Sequence, residues 1–393
     1  MKCKITNKPL KPFMSFGKMP IANGFIEKKD FSNEFFYDME VGFNEDLSLF
    51  QLNEHPMPEK MFNDHYPFFT GSSKYMVDHF KNYANFIKKY LNTNSKLIEI
   101  GSNDGTFLKN FSNNSKNIIG FEPSSNVAKL AQKNQVPTIN SFFNTKSIIN
   151  LKEYLGKTDL ICASNVICHI PDLNDLIKSV DLLLSSNGTF VFEEPYLGSM
   201  FKQTSYDQIY DEHIFIFSAS SVSKIFEKFN LYLVDAIPQI THGGSMRYVI
   251  KRKNEKSKQI QEIIEDEKKK KLDQIESCLA FKNNCEISKS KILEKIKTIK
   301  KEGKSICGYA ATSKSTTVLN YCGIGNDKID YICDTTPEKI GKFSPGQHIP
   351  IKDMSHFYKY PADCVYLFAW NHKLEIFDKE KNFKGLWFSH VEL

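Results

Sequence analysis

The chain changes its hydrophobic pattern near residue 90. Before that point aromatic residues and turn formers follow no sustained period, which predicts a small irregular domain. From Lys96 onward, short apolar runs alternate with stretches of helical spacing. The apolar runs lie in KLIEIGSNDGTFL, NIIGFEPS, TDLICASNV and GTFVFEEPY, and later in SICGYAATSKSTTVLNY, IDYICDTTPEKIG and DCVYLFAWN. This alternation predicts an α/β fold with parallel sheets covered on both faces.

The two predicted α/β units are joined by a strongly charged segment. Residues 251–304 contain 17 basic and 10 acidic residues, so this segment accounts for the net charge of +6 of the whole chain. Isoleucine and leucine recur through it at roughly helical spacing, with both charges mixed between them. This pattern favours solvated linking helices over a nucleic-acid patch, and we expect no nucleic-acid partner.

Cysteine usage and hydropathy bear on the compartment. The nine cysteines are scattered and nowhere spaced as Cys-x-x-Cys, which supports neither a disulfide framework nor a zinc knuckle. No apolar run reaches the roughly 18 residues of a membrane span, and the sequence after Met1 does not resemble a signal peptide. We expect a cytoplasmic protein with no membrane partner. The oligomeric state stays open, with a monomer as the expectation.

The stretch EIGSNDG, residues 99–105, is the first candidate binding motif. Gly101 and Gly105 permit a tight turn beside a helix N-terminus. Glu99 and Asp104 line that turn with carboxylates, whereas a dinucleotide phosphate needs amides and positive charge. Glu122 ends the next strand, where a carboxylate can accept both ribose hydroxyls. These residues indicate S-adenosylmethionine, which combines a sulfonium, an ammonium group and a ribose.

Two asparagines complete the expected cofactor site. Asn103 lies in the same glycine turn, and Asn165 lies where the fourth strand opens over the cofactor. A structural turn is the alternative for EIGSNDG alone, and the combination with Glu122 and Asn165 favours the nucleoside site.

The ordered motifs resemble the S-adenosylmethionine-dependent sugar C-methyltransferases, which make branched-chain deoxysugars from nucleotide-linked keto sugars. The resemblance rests on PIANGFI, YPFFTGSSKYMVDHF, EIGSNDGTFL, NVICHIPDL, EEPY, IYDEHIFIF, HGGSMR, GYAATSKSTTVLNYCGIG, PGQHIPI and LFAWN. It implies a substrate-covering domain at 1–80, a Rossmann-like cofactor-binding domain at 81–250, and a helical connector with a second α/β domain for the nucleotide sugar at 251–393.

The sequence departs from the family in two places. The family usually holds zinc with two Cys-x-x-Cys pairs, and this chain keeps only Cys3, with Thr6, Asn44 and Leu47 at the other positions. One thiolate cannot close a tetrahedral site, so we expect no metal. The family also tends to show Tyr-His-Glu-His where this chain has YDEH, so the residue at 211 is aspartate, which could alter a hydrogen bond or the sugar preference.

The YDEH stretch carries the expected catalytic residues. Methyl transfer to a sugar carbon requires a base that removes the proton alpha to a ketone, and a partner that holds the enolate. His213 is a suitable base because its unperturbed pKa lies near the working pH. Glu212 is either its orienting partner or the base itself, and Tyr210 could hydrogen bond to the enolate oxygen. In an extended segment Tyr210 and Glu212 share one face, so the choice of base stays open.

The resemblance also suggests residues for the substrate. Each has a structural alternative, such as aromatic core, a helix cap or an ion pair. The expected substrate-binding residues are Tyr66, Phe68, His169, His242, Arg247, Lys314 and His348, with Lys314 and His348 placed at a diphosphate.

The expected function is C-methylation of a nucleotide-linked keto-deoxysugar, at C3 alpha to a 4-keto group. The nearest alternative is an O- or N-methyltransferase for sugars or small metabolites, which needs no acidic carbon. A nicotinamide-dependent oxidoreductase is disfavoured by the carboxylates of the glycine turn. A non-catalytic nucleotide-sugar binding protein is a further alternative because the zinc ligands are lost.

Overall fold

The N-terminal part of the chain forms a small antiparallel sheet followed by a long helix. A computed structural model describes residues 1–64 and 66–393, except for the side chains of 112–116. The first elements are β1 (Pro12–Pro20), β2 (Phe36–Asn44), β3 (Leu49–Leu52), α1 (Pro58–Met61) and α2 (Lys74–Ile87). Ser73 is the N-cap of helix α2, and its side chain accepts the Met76 N–H group.

The central part forms a seven-stranded sheet. Its elements are β4 (Leu97–Ile100), β5 (Ile118–Phe121), α3 (Ser125–Lys133), β6 (Thr138–Ile139), α4 (Thr145–Ile148), β7 (Thr158–Ser164), α5 (Leu173–Leu183), β8 (Leu184–Pro195), α6 (Leu197–Gln203), β9 (Phe215–Ile216), α7 (Ala219–Glu227), β10 (Tyr232–Gln239) and β11 (Ser245–Lys251). The strand order is β10-β11-β8-β7-β4-β5-β6, and only the pairings of β11 are antiparallel. The order reverses at β4, so the ends of β4, β5 and β7 open a ligand crevice.

The C-terminal part contains two connecting helices and a second parallel sheet. Its elements are α8 (Lys258–Lys269), α9 (Ile275–Lys301), β12 (Ile306–Tyr309), α10 (Ser313–Cys322), β13 (Tyr331–Cys333), β14 (Ile351–Lys352), α11 (Met354–Lys359), β15 (Cys364–Leu367), α12 (Lys373–Lys379) and β16 (Leu386–Phe388). The five strands are ordered β14-β13-β12-β15-β16. The predicted α/β fold class is confirmed.

Strand β9 belongs to the N-terminal sheet although it follows the YDEH stretch in sequence. It pairs antiparallel with β3 through Phe50 and Gln51. All four residues of the apolar run Ile214 to Phe217 are at most 2% exposed. The N-terminal sheet therefore holds one end of the segment that carries the candidate catalytic residues.

The connecting helices account for the basic segment. Helix α9 buries Phe281, Ile292 and Ile296 against the rest of the chain, and exposed pairs such as Lys270 with Asp266 lie on the solvent side of α8. All nine cysteines are buried free thiols. Within residues 1–64 and 66–393, no helix is both long and apolar enough to cross a membrane.

Candidate active site

The crevice at the end of β4 presents a buried carboxylate. Glu99 is 4% exposed, and its Oε2 atom has no hydrogen-bond partner among the described residues. Burial, reinforced by Asp104 and Glu122, raises the pKa of Glu99 well above its usual value. Gly101 has a φ of +68°, and a Cβ atom there would overlap the Val166 side chain. The sequence must therefore have glycine at the point where the chain turns past the crevice.

The glycine turn is tied to the next strand and to the N-terminal part of the chain. Glu122 accepts the N–H groups of Asn103 at 3.1 Å and Ser124 at 2.8 Å. The Asn103 side chain accepts the Thr70 N–H group at 2.8 Å, and Asp104 accepts the Gly71 N–H group at 2.7 Å. The side chains at 103 and 104 thus hold the segment after Phe68 over the crevice.

One cavity of about 1260 Å³ extends from this crevice to the C-terminal sheet. It brings together 13 of the 17 residues that the sequence suggested. These are Glu99, Gly101, Asn103, Glu122, Asn165, Tyr66, Phe68, His169, Tyr210, Glu212, His213, His242 and Lys314.

The other four residues lie outside the described lining of this cavity. Arg247 is paired with Glu193 and its guanidinium lies over the Tyr83 ring. His348 is bonded to Glu34 at 2.7 Å and stacks on a phenylalanine. Asp104 makes the loop contacts described above, and Gly105, with a φ of +79°, lies against Val136. The structure thus gives each of the four a structural contact.

The YDEH stretch forms a turn, and the extended conformation expected from the sequence is wrong. The His213 N–H group bonds the Tyr210 carbonyl at 2.9 Å, and β9 begins only at Phe215. The turn brings the side chains of Tyr210 and His213 together, with 2.8 Å between the phenol oxygen and Nε2. The alternation rule for strands therefore does not apply to these four residues.

The hydrogen bonds of His213 define its tautomer. Its Nδ1 atom lies 2.7 Å from the Gln208 carbonyl oxygen, which can only accept, so Nδ1 carries the hydrogen. Nε2 is then a lone pair that accepts the Tyr210 O–H group. Burial and the neighbouring His169 lower the pKa of His213 well below its usual value. His213 is therefore a neutral acceptor at neutral pH.

Asp211 and Glu212 form a buried carboxyl pair beside this histidine. They are 1% and 4% exposed. Burial raises the pKa of both carboxyl groups, and Asp211 raises the pKa of Glu212 further. Asp211 accepts the Ala22 N–H group at 3.0 Å, and Glu212 accepts the Asn23 side chain at 2.7 Å. Glu212 is thus biased toward its protonated form, whereas His213 is biased toward its neutral form.

Two further imidazoles line the cavity in neutral form. Burial lowers the pKa of His169 to about 3, and burial with Lys314 nearby lowers the pKa of His242 to about 3. Neither Nε2 atom has a hydrogen-bond partner among the described residues. His242 has a φ of +53° and is followed by Gly243, where a Cβ atom would overlap Trp370. This left-handed turn brings His242 to the cavity.

Cys168, His169 and His213 are close enough to be tested as a metal site. Their ligand atoms lie within 4.8 Å of one another. Burial and the neighbouring Glu194, however, raise the pKa of the Cys168 thiol well above its usual value, and both nitrogens of His213 are bonded within the chain. His169 Nε2 has no partner among the described residues, but a protonated thiol and an imidazole with both nitrogens bonded do not provide the further ligands that a divalent metal ion needs.

The loop that carries Asn165 and His169 is held from behind by Glu194. Its Oε1 atom accepts the N–H groups of Val166 at 2.9 Å and Ile167 at 2.6 Å. Burial raises the pKa of Glu194 to about 7 in spite of these bonds. The carboxyl group therefore fixes the loop backbone at an electrostatic cost.

We expect Glu194→Gln to flatten the pH dependence of stability. Because the pKa of about 7 in the folded protein exceeds the ordinary glutamate pKa of 4.5, the stabilising contribution of the protonated carboxyl group is complete below pH 4.5 and is lost as the pH rises through 7. Glutamine resembles the protonated form at every pH. As the pH rises from 5 to 8, the free energy of unfolding of the variant should therefore increase by roughly 3 kcal/mol relative to that of the wild type. Urea unfolding at both pH values measures this gain.

The exposed Glu255→Gln variant is the control for this measurement. It should keep the wild-type difference between the two pH values. A Glu194→Gln variant whose stability changes with pH as much as the wild type would contradict a raised pKa at that carboxyl group.

The sequence missed several residues of the cavity. Lys339 lines it together with Lys314, and burial lowers the pKa of both ammonium groups. Thr312 caps helix α10, and Thr312 and Ser313 line the same wall. Asn23 reaches the cavity from the N-terminal part. AATSKST contained the signal for a helix N-cap, whereas nothing in the sequence marked Lys339 or Asn23 individually.

Three family models match consecutive parts of the chain. Residues 3–62 match a putative zinc binding domain, residues 75–236 a methyltransferase domain and residues 240–387 a C-methyltransferase C-terminal domain. The protein is an S-adenosylmethionine-dependent methyltransferase. The predicted enzyme class and cofactor are confirmed, and the crevice at β4 lies within the second matched part of the methyltransferase.

A relative that aligns with most of the chain agrees with this assignment. The methyltransferase is 28% identical to the C-methyltransferase NovU of Streptomyces niveus over 376 residues, which are 94% of this chain and 89% of that protein. Together with the C-terminal match, this supports a C-methyltransferase family.

A possible histamine N-methyltransferase of Thermotoga maritima is 18% identical with a TM-score of 0.36, and the match covers 46% of this chain and 92% of that chain. A protein of Pyrococcus horikoshii is 14% identical with a TM-score of 0.39, covering 51% and 100%. Likenesses at these scores do not bear on the activity.

The crevice of the methyltransferase fits S-adenosylmethionine. The unpartnered Glu99 Oε2 atom can accept from an ammonium group, and Glu122 is placed at the end of β5 where it can accept ribose hydroxyls. Asn165, with a φ of +55°, lies at the end of β7 on the other side of the crevice.

The N-terminal part of the methyltransferase does not fit zinc, although its family model is described as zinc binding. Cys3 is buried, and its sulfur accepts the Thr6 N–H group at 3.5 Å. The Asn44 side chain accepts the Leu47 N–H group at 2.9 Å. Cys3 and Leu47 pack in an apolar cluster with Leu49. One sulfur and a leucine cannot provide the four ligands of a structural zinc site.

Proposed function

We propose that the protein methylates a carbon atom of a nucleotide-linked keto-deoxysugar, at C3 alpha to a 4-keto group. The observation that carries this proposal is the buried acid and base pair of Glu212 and His213, in the same cavity as the donor crevice. Transfer to oxygen or nitrogen does not need a carbon acid. Transfer to carbon needs a base for the alpha proton and a donor for the enolate oxygen.

The opposite shifts of the two pKa values support one division of the catalytic roles between Glu212 and His213. Bound S-adenosylmethionine supplies a methyl group on a positively charged sulfur. His213 is neutral, and its Nε2 lone pair accepts the alpha proton once the Tyr210 hydroxyl turns away from it. Glu212 is protonated, because burial and Asp211 raise its pKa, and it donates a hydrogen bond to the developing enolate oxygen. Opposed shifts of this kind distinguish an acid from a base in one site.

The far wall of the cavity supports a nucleotide-linked substrate. Lys314 and Lys339 bring two cations to it, and the first residues of helix α10 add the positive end of the helix dipole. A diphosphate suits this wall. The Lys314 ammonium group is held by Asn371 and by the Trp370 ring. The cavity, at about 1260 Å³, is larger than the roughly 300–1,000 Å³ of a single small-molecule site, which is consistent with a donor and a second ligand.

A screen of nucleotide-linked sugars tests this function. We expect the purified protein, with S-adenosylmethionine and a 4-keto deoxysugar nucleotide, to give a product heavier by one CH₂ unit, with the methyl on C3 in its fragmentation spectrum. In D₂O without the donor, deuterium should enter at the alpha carbon. The matching 4-hydroxy sugar nucleotide is the control and should remain unchanged. A methyl group found on oxygen or nitrogen would establish the alternative O- or N-methyltransferase.

A further inference from the structure

We propose that Asn23 is a positioning residue for Glu212, whose carboxyl orientation in the cavity is fixed by a hydrogen bond from the N-terminal part of the chain. The Asn23 Nδ2 atom donates to Glu212 Oε1 at 2.7 Å, and both residues line the cavity. Since Oε1 is an acceptor in this bond, the acidic proton of Glu212 belongs on Oε2. The proposal deepens the proposed function and rests on it for the donor role of Glu212.

The loop that carries Asn23 is held rigidly on both sides. The Ala22 N–H group donates to Asp211 at 3.0 Å, and the Ala22 carbonyl accepts the Thr316 hydroxyl at 2.8 Å. Asp211 and Thr316 are each 1% exposed. Asn23 is thus fixed between the central part of the chain and helix α10, with its amide group within hydrogen-bond distance of Glu212. An aspartate of the same shape would lack the N–H donor and would face a second carboxyl group.

The groups around Glu212 determine the direction of the effect. Asp211, Tyr66, Tyr210 and Cys168 surround it, and each is neutral or negative. Hydrogen bonds from the Asn23 N–H group and from Tyr66 both favour the ionised form of Glu212 and lower its pKa, in opposition to burial and to Asp211. Loss of the Asn23 bond should therefore shift the titration of Glu212 upward, and a new carboxylate at position 23 should shift it further.

Infrared titration tests the contact without any turnover. The full-length protein is labelled with ¹³C-glutamate, and the carboxyl band of Glu212 is assigned by its loss in Glu212→Gln. We expect its midpoint to rise by about one pH unit in Asn23→Ala and by more in Asn23→Asp. Asn53→Asp is the matched control, because Asn53 donates to Glu40 at 3.3 Å in the N-terminal sheet, outside the described lining of the cavity. This control should leave the midpoint unchanged.

Kinetics separate positioning from a structural role. With a keto sugar that the wild type methylates, we expect kcat to fall at least tenfold in Asn23→Ala. KM and the donor affinity should change less than twofold. The descending limb of the pH profile should move to higher pH together with the infrared midpoint. A wild-type midpoint in both Asn23 variants would overturn the proposal. If the wild type methylates no keto sugar, the proposed function is overturned instead. The infrared titration still decides whether Asn23 controls Glu212, because it needs no turnover.

Discussion

His213→Gln should reduce methyl transfer by about 10³-fold, the range that loss of a general base produces. Glutamine can still occupy the turn and accept from Tyr210, but its amide has no basic lone pair to take a proton. The tautomer fixed by the Gln208 carbonyl places that lone pair on Nε2 in the wild type. Single-turnover assays with a keto sugar nucleotide measure the loss, and solvent deuterium exchange at the alpha carbon should be lost in parallel.

The control for this variant is His356→Gln. His356 lies in helix α11 against the ring of Tyr331, and it is outside the described lining of the cavity. The same substitution should leave both rates at the wild-type value. Full activity of His213→Gln would instead assign the base to Glu212, and Glu212→Gln would then be the variant that loses exchange.

Gly101→Ala should abolish donor binding, with at least a hundredfold loss of affinity for S-adenosylmethionine. The φ of +68° strains any residue with a Cβ atom by roughly 1–2 kcal/mol. The new methyl group would also overlap Val166, the neighbour of Asn165 on the opposite side of the crevice. Relief of that overlap must move one wall of the donor site, and calorimetric titration with the donor measures the effect.

Gly156→Ala separates strain from overlap. Gly156 has a φ of +65°, and no atom of the described residues lies within 4 Å of the position of its Cβ atom. It should therefore lose stability by the same strain but retain full donor affinity. Equal affinities of the two alanine variants would show that the approach of Val166 to Gly101 does not shape the donor site.

The positions of residues that depend only on one strand and the turn after it could be predicted from the sequence. Glu99, Gly101 and Glu122 occupy strand ends, and in a parallel sheet such ends meet at one edge. No comparable rule predicts which residues from distant parts of the chain come into contact. Asn23 meets a carboxyl group 189 positions away, and Lys339 lies in a loop with no pattern of its own. The conformation of the YDEH stretch also escaped prediction, because its apolar continuation resembles a strand and only the bond from His213 to Tyr210 closes the turn.

The pairing of β9 with β3 constrains how this protein can be recombined with relatives. A chimera that exchanges only the first 60 residues would place a foreign strand beside Phe215 and Ile216, which follow His213 by two and three residues. Successful exchange of the N-terminal part should therefore require that the segment 204–217 be exchanged together with it. Engineering at a simple linker boundary would separate two pieces that share a single sheet.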